Sequence, residues 1–206
     1  MSADETFLII PVIHRQQFSA VDFSHMTFER RTRDSVANLF TGTDVGEILR
    51  ERGWSATGEF SPELKLWCER AAGMLGSHVA DRGALCDLLE LIFHYEAEKV
   101  LERVESHAVL ARYGAREVVR RVALLLLDGG ALDSERFKEI INIMKEGSDL
   151  RSRDLFHPIR LALAGRAGEG ELDRVILLID EAAALPFAGP VKSTRARILE
   201  FCSALD

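Results

Sequence analysis

The chain has 206 residues, 47% hydrophobic and 29% charged, which is typical of a folded protein with one large or two small domains. Its three cysteines are an odd number and lie far apart in apolar stretches, which favours a reducing compartment and argues against disulfides or a zinc site. The net charge of −7 argues against indiscriminate nucleic-acid binding, although it allows a local basic face.

The first residues are acidic, and the apolar run at 7–13 is short and interrupted by Pro11. This fits neither a secretory signal nor a membrane span, and the apolar run at 122–127 is also too short to cross a bilayer. We therefore expect a cytoplasmic protein that does not bind a membrane. Residues 6–13 have the only strand-like alternation, and a strand, an arm or irregular structure remain open for them.

Helical periodicity dominates from about residue 30 onward. Asp44, with Glu47 at capping-box spacing, predicts a helix that ends near Gly53. Ser61 and Pro62 predict another start, with serine as the N-cap and proline at the first helical position. Periodicity predicts further helices at 84–94, 97–113, 118–127, 137–144, 155–164, 172–185 and 191–205.

These elements predict an all-α fold. We expect an N-terminal arm at 1–43, a first helical bundle at 44–128 and a second bundle at 129–206, with the boundary at the Asp-Gly-Gly turn that begins at residue 128.

Residues 155–165, LFHPIRLALAG, precede a short glycine-rich loop and a Leu/Ile-rich helix that begins at Leu172. This pattern resembles the signature of the anticodon-binding domain of bacterial glutamyl-tRNA synthetases. Weaker similarity at 67–93 and 137–145 extends the resemblance over roughly residues 44–180. The resemblance implies that the second bundle has the architecture of this domain and that the partner is tRNA or a tRNA-like RNA.

The catalytic parts of such a synthetase are missing from this sequence. It has no His-Ile-Gly-His helix start and no Lys-Met-Ser-Lys loop, and 206 residues leave no room for a nucleotide-binding βαβ domain. We therefore expect a non-catalytic protein, and the sequence indicates no catalytic residues, no cofactor and no metal. Glu90 and His94 share a helix face, but two candidate ligands do not make a metal site.

The resemblance places anticodon contacts at Arg160, Glu169 and Leu172. A guanidinium suits this task because its planar fork can donate hydrogen bonds to base edges and phosphates. Pro158 indicates that Arg160 lies in the first turn of a helix. The alternative for Arg160 is a local ion pair with Asp154 or Glu169. Leu172 also fits the helix core by spacing alone.

Several other arginines accompany this motif. Arg151, Arg153 and Arg166 give the segment a positive balance and are candidate RNA-binding residues. A second basic cluster comprises Lys192, Arg195 and Arg197, and a stripe of Arg112, Arg116 and Arg120 is typical of a solvated helix face.

The loop at 167–171 departs from the family because Glu169 and Glu171 are acidic, and each carboxylate would repel a nearby phosphate by ~1 kcal/mol. The leading hypothesis is an RNA-binding module that holds tRNA around Arg160. The alternative is a protein-interaction module that has lost RNA binding and docks on a partner such as a truncated synthetase. The acidic charge favours this alternative.

Overall fold

The computed structural model describes residues 38–55, 58–146, 150 and 153–205. The chain divides into two units, Met1–Asp34 and Ser35–Asp206, and all of the described residues belong to the second. The predictions for residues 6–13, for most of the arm at 1–43 and for Arg151 therefore lie outside the described residues.

The described residues form an all-α structure with ten α-helices and a 3-10 turn at Gly76–His78, and they contain no strand. This confirms the predicted fold class. The helices are α1 Gly42–Glu51, α2 Pro62–Leu75, α3 Arg82–Phe93, α4 Ala97–Leu101, α5 Val104–Leu110, α6 Ala115–Leu127, α7 Ser134–Glu146, α8 Arg153–Ala164, α9 Glu171–Ala183 and α10 Thr194–Leu205.

The starts of α1 and α2 differ in how well local sequence predicts them. Ser61 is the N-cap of α2 and its hydroxyl accepts a hydrogen bond from Leu64 N–H, which confirms that prediction. In α1 the N-cap is Thr41 rather than Asp44. Asp44 occupies the third helical position instead, where its carboxylate accepts from Thr41 N–H at 2.7 Å and completes a capping box.

The single helix predicted at 97–113 is two short helices, α4 and α5. The chain turns at Glu102 and Arg103, and the hydroxyl of the buried Ser106 donates to the carbonyl of Val100. This bond satisfies an acceptor that the interruption leaves without its helical partner.

The helices on either side of residue 128 share one core. The α2 and α3 helices pack against α9, and α6 packs against α8 and α10. A hydrogen bond from the Leu132 N–H to the side-chain carboxylate of Asp180 fixes the connection after the Gly129-Gly130 turn. The described helices of the two predicted bundles are therefore interleaved within one unit, because their apolar stripes face one another.

Candidate functional site

The motif resembling the anticodon-binding signature forms two helices, α8 and α9, which pack against each other and are joined by the loop at 165–170. Gly165 ends α8 with a left-handed φ of 77°, which glycine adopts without steric cost. The α8 helix begins at Arg153, so Pro158 lies inside it and Arg160 is its eighth residue. The expectation that Arg160 lies in the first helical turn is therefore corrected.

The Arg160 guanidinium is turned inward and only 7% of the residue is exposed. Its Nε and Nη2 each donate to one carboxylate oxygen of Asp173 at 2.7 Å, and Nη1 donates to the Gly168 carbonyl at 2.6 Å. The guanidinium carbon also lies 5.0 Å from the centre of the Phe156 ring. This is the planar bidentate geometry that arginine and carboxylate favour, and it leaves little of the guanidinium for an external ligand.

Asp173 is the partner that sequence reasoning missed. It occupies the first turn of α9, where a carboxylate also interacts favourably with the positive end of the helix dipole. The two expected partners of Arg160 are engaged elsewhere: Asp154 lies 3.6 Å from Arg112, and Glu169 lies 3.7 Å from Arg153. Arg160 therefore fastens α8 to the loop and to α9.

The other candidate RNA-binding residues differ in their accessibility. Leu172 is fully buried and its side chain lies against Gly168, so the structure places it in the core rather than on a surface that a base could reach. Arg153 and Glu169 are both exposed, and each partly cancels the charge of the other. Arg166 is exposed, and no ion-pair partner lies near it among the described residues.

Several charged side chains near the start of α8 affect the pKa of His157. Burial and the positive charges of Arg112, Arg160 and Arg153 lower the pKa of this imidazole, and only Glu169 opposes them. Its Nε2 is buried without a hydrogen-bond partner among the described residues. Three arginines and one glutamate therefore act on this imidazole, although the most buried of the arginines, Arg160, is already paired.

The predicted basic cluster near the C-terminus is not a surface cluster. Arg197 is fully buried, and Lys192 donates both to Glu200 at 2.6 Å and to the Tyr95 carbonyl at 2.9 Å. Of these three residues, Arg195 alone is exposed with no ion-pair partner among the described residues. In the predicted stripe on α6, Arg116 lies 3.5 Å from the Leu205 carbonyl.

Arg197 occupies the place where α3 and α8 both end. It donates to the carbonyls of Leu91, Ile92, Leu163 and Lys192, and its guanidinium carbon lies 4.7 Å from the centre of the Tyr95 ring. Three of these carbonyls belong to last helical turns, which lack backbone partners and bear partial negative charge. Burial lowers the pKa of Arg197 to about 10, so it stays charged at neutral pH.

The described residues contain no group of three or more histidine, cysteine, aspartate or glutamate side chains placed to hold a metal ion. Within the same residues, no helix has both the length and the apolar character needed to cross a bilayer. Comparison of the chain with protein-family models, with curated proteins and with solved structures gives no match.

Proposed function

We propose that this chain is a non-catalytic protein-interaction module built on a helical scaffold similar to an anticodon-binding domain. The observation that supports the proposal is the bidentate ion pair between Arg160 and Asp173. An arginine whose three donor nitrogens are engaged inside the fold holds two helices together and has no free fork for a nucleotide.

The charges of the surface support the same function. Nucleic-acid binding releases counterions when unpaired cations neutralise phosphates, so it depends on cations that are free in the unbound protein. Many exposed basic side chains here already have an acidic neighbour, and the net charge of the chain is −7. The pairs are Arg70–Glu181, Arg82–Glu51, Arg112–Asp154, Arg136–Glu139, Arg153–Glu169 and Lys192–Glu200.

The resemblance to an anticodon-binding domain indicates the class of partner. A scaffold of this kind without catalytic motifs fits an accessory that docks on an aminoacyl-tRNA synthetase lacking its own anticodon-binding region. Glu169 lies in the loop that would approach the anticodon and Glu171 is the first residue of α9 directly after it, and both carboxylates disfavour phosphate there.

A second function, binding of tRNA or a tRNA-like RNA, is supported by the three arginines that act on His157 near the start of α8. Arg153 and Arg166 are exposed at opposite ends of α8, and Arg112 pairs with Asp154, the residue after Arg153. In this alternative Arg160 positions the surface and does not contact the RNA.

Two binding measurements separate these functions. The first is filter retention of labelled tRNA at low and moderate salt by the wild type, by the double variant Arg153→Ala/Arg166→Ala and by the control Lys138→Ala/Arg195→Ala, which removes two exposed cations elsewhere. The second is calorimetric titration with a synthetase fragment that lacks its anticodon-binding region.

The proposed function predicts negligible tRNA retention by all three proteins and stoichiometric binding of the fragment. Retention that falls steeply with salt, and that only Arg153→Ala/Arg166→Ala abolishes, would overturn it in favour of RNA binding. Absence of both activities would reject both functions.

A further inference from the structure

A cavity of about 460 Å³ lies where the ends of α1 and α3 meet the connection between α9 and α10. Its apolar wall includes Trp54, Phe93, Ala188 and Pro190. The volume is within the range of ~300–1,000 Å³ that small-molecule sites occupy. The cavity is therefore large enough for a single ring system with one substituent.

Contacts within the fold hold this wall in place. The rings of Trp54 and Phe93 stack with their centres 4.6 Å apart and their planes at 18°, and Phe187 packs edge-on against Phe93 at 4.9 Å. The Ala188 N–H donates to the Trp54 carbonyl at 2.8 Å, which ties the connection after α9 to the end of α1. A site whose wall is already ordered costs little entropy when a ligand binds.

Two groups that can hold an anion also line the cavity. Arg52 is exposed, and its side chain has no ion-pair or hydrogen-bond partner among the described residues. The imidazole of His94 is 62% exposed, and its ring centre lies 5.6 Å from that of Trp54, with the two planes at 76°. The cavity therefore combines an apolar aromatic wall with an unpaired guanidinium.

The carboxylates close to the cavity have basic neighbours of their own. None of the described residues that line it is an aspartate or a glutamate. Glu51, next to Arg52 in the chain, lies 2.7 Å from Arg82, and Glu90 lies 3.5 Å from His94 Nδ1. An anion at Arg52 would therefore not have to displace a carboxylate from the guanidinium.

We propose that this cavity binds a small planar aromatic anion, with its carboxylate or phosphate held by Arg52 and its ring against the apolar wall. The planar fork of a guanidinium matches both kinds of anion and can hold either through two parallel hydrogen bonds. A bare anion would leave the wall uncovered, and a neutral ring would leave the guanidinium without a partner. The proposal does not depend on the proposed function, because it concerns a small molecule and not a protein partner.

Calorimetric titration of the full chain with paired probes tests this site. The anionic probes are AMP, which bears a phosphate, and indole-3-acetate, which bears a carboxylate. Their controls are the neutral analogues adenosine and indole-3-acetamide, together with inorganic phosphate and acetate, which have no ring. At least one anionic probe should bind with a Kd of about 0.1 mM or below, and its controls should bind at least about tenfold more weakly. The probe that binds more tightly identifies the anion as phosphate or carboxylate.

Replacement of Arg52 by glutamine removes the charge and the fork from an exposed position. Arg52→Gln should weaken binding of the anionic probe at least about tenfold. Arg195→Gln is the matched control, because Arg195 is also exposed without an ion-pair partner among the described residues and does not line the cavity, so its replacement should leave the Kd unchanged. The circular dichroism melting curve of each variant reports whether it is folded.

An independent measurement locates the ligand without any variant of Arg52. The chain has two tryptophans, so its proton–nitrogen correlation spectrum has two indole N–H signals, which Trp67→Phe assigns. The probe should shift the signal of Trp54, whereas that of Trp67, whose N–H donates to the Leu178 carbonyl away from the cavity, should move much less. Failure of both anionic probes to bind, equal affinity for the neutral analogues, equal Kd values for Arg52→Gln and Arg195→Gln, or an unmoved Trp54 signal would each overturn the proposal.

Discussion

Replacement of Arg197 by methionine tests how the ends of α3 and α8 are held together. Methionine retains much of the apolar volume but removes every donor. The hydrogen-bond partners of Arg197 among the described residues are all carbonyls, so this residue differs from a buried ion pair. Its removal leaves no unpaired carboxylate, but it leaves four carbonyl oxygens without their donor.

The magnitude follows from those four bonds. A hydrogen bond from a charged donor contributes ~1.5–3 kcal/mol, so four give an upper limit of ~6–12 kcal/mol. Release of the guanidinium from complete burial offsets several kcal/mol of this loss. We therefore expect Arg197→Met to lower the free energy of unfolding by about 3–5 kcal/mol, a large part of the ~5–15 kcal/mol that is typical of a domain.

Equilibrium denaturation in urea, followed by circular dichroism at 222 nm, measures this loss. Arg195→Met is the control, because Arg195 lies on the same helix with its side chain exposed, and it should change the free energy of unfolding by less than about 0.5 kcal/mol. If Arg197→Met and Arg195→Met were equally stable, the account of Arg197 as the cap of two helices would be refuted.

Three further predictions follow from neighbouring contacts. Gly165→Ala should lower the free energy of unfolding by about 1–2 kcal/mol, because φ at Gly165 is 77° and an added Cβ would lie 3.3 Å from the Val100 side chain. The control Gly170→Ala should leave the free energy of unfolding unchanged in the same thermal melts, because Gly170 has an ordinary φ and open space around it. Tyr95→Phe removes the hydroxyl that donates to the Ala162 carbonyl and should cost about 1 kcal/mol in urea denaturation, whereas no change would mean that water replaces the bond. The pKa of His157 is lower in the folded chain than the ordinary value of 6.5, so the folded state binds fewer protons and stability is lost as the pH falls from about 6.5 downward. Between pH 7 and pH 5, the His157→Gln variant should therefore lose less free energy of unfolding than the wild type, and equal losses would contradict this.

Local sequence chemistry was sufficient for several elements. Ser61 and Pro62 define the start of α2 because capping involves residues only three positions apart. The apolar periodicities at 155–164 and 172–185, with a glycine-rich loop between them, predicted the positions of α8 and α9 to within two residues. In each case the residues that interact are close together in the sequence, so the local pattern is enough to predict the element.

The environments of individual arginines were not readable from the sequence. The alternative to RNA contact for Arg160 was an ion pair with Asp154 or Glu169, but its partner is Asp173, because that choice depends on how α9 is rotated against α8. Arg195 and Arg197 lie two residues apart on α10, yet one is exposed and the other is fully buried. Nothing in the local sequence distinguishes them, because the burial of Arg197 depends on where two distant helices end.

The boundary predicted at residue 128 rested on composition alone. Asp128, Gly129 and Gly130 are typical of a linker, but here they make a tight turn between packed helices. The Arg136 side chain crosses this turn and donates to the Leu125 carbonyl. Composition alone does not distinguish a domain boundary from a turn inside one core, because contacts across the turn decide which it is.

The central claim is that Arg160 holds α8 to α9 through Asp173. A double-mutant cycle tests it most directly, with Arg160→Met, Asp173→Asn and the double variant compared with the wild type by urea denaturation. The account predicts that each single variant loses about 2–4 kcal/mol and that the double variant loses much less than their sum, with a coupling energy of about 2–3 kcal/mol. Additive losses, or an Arg160→Met protein as stable as the wild type, would contradict it.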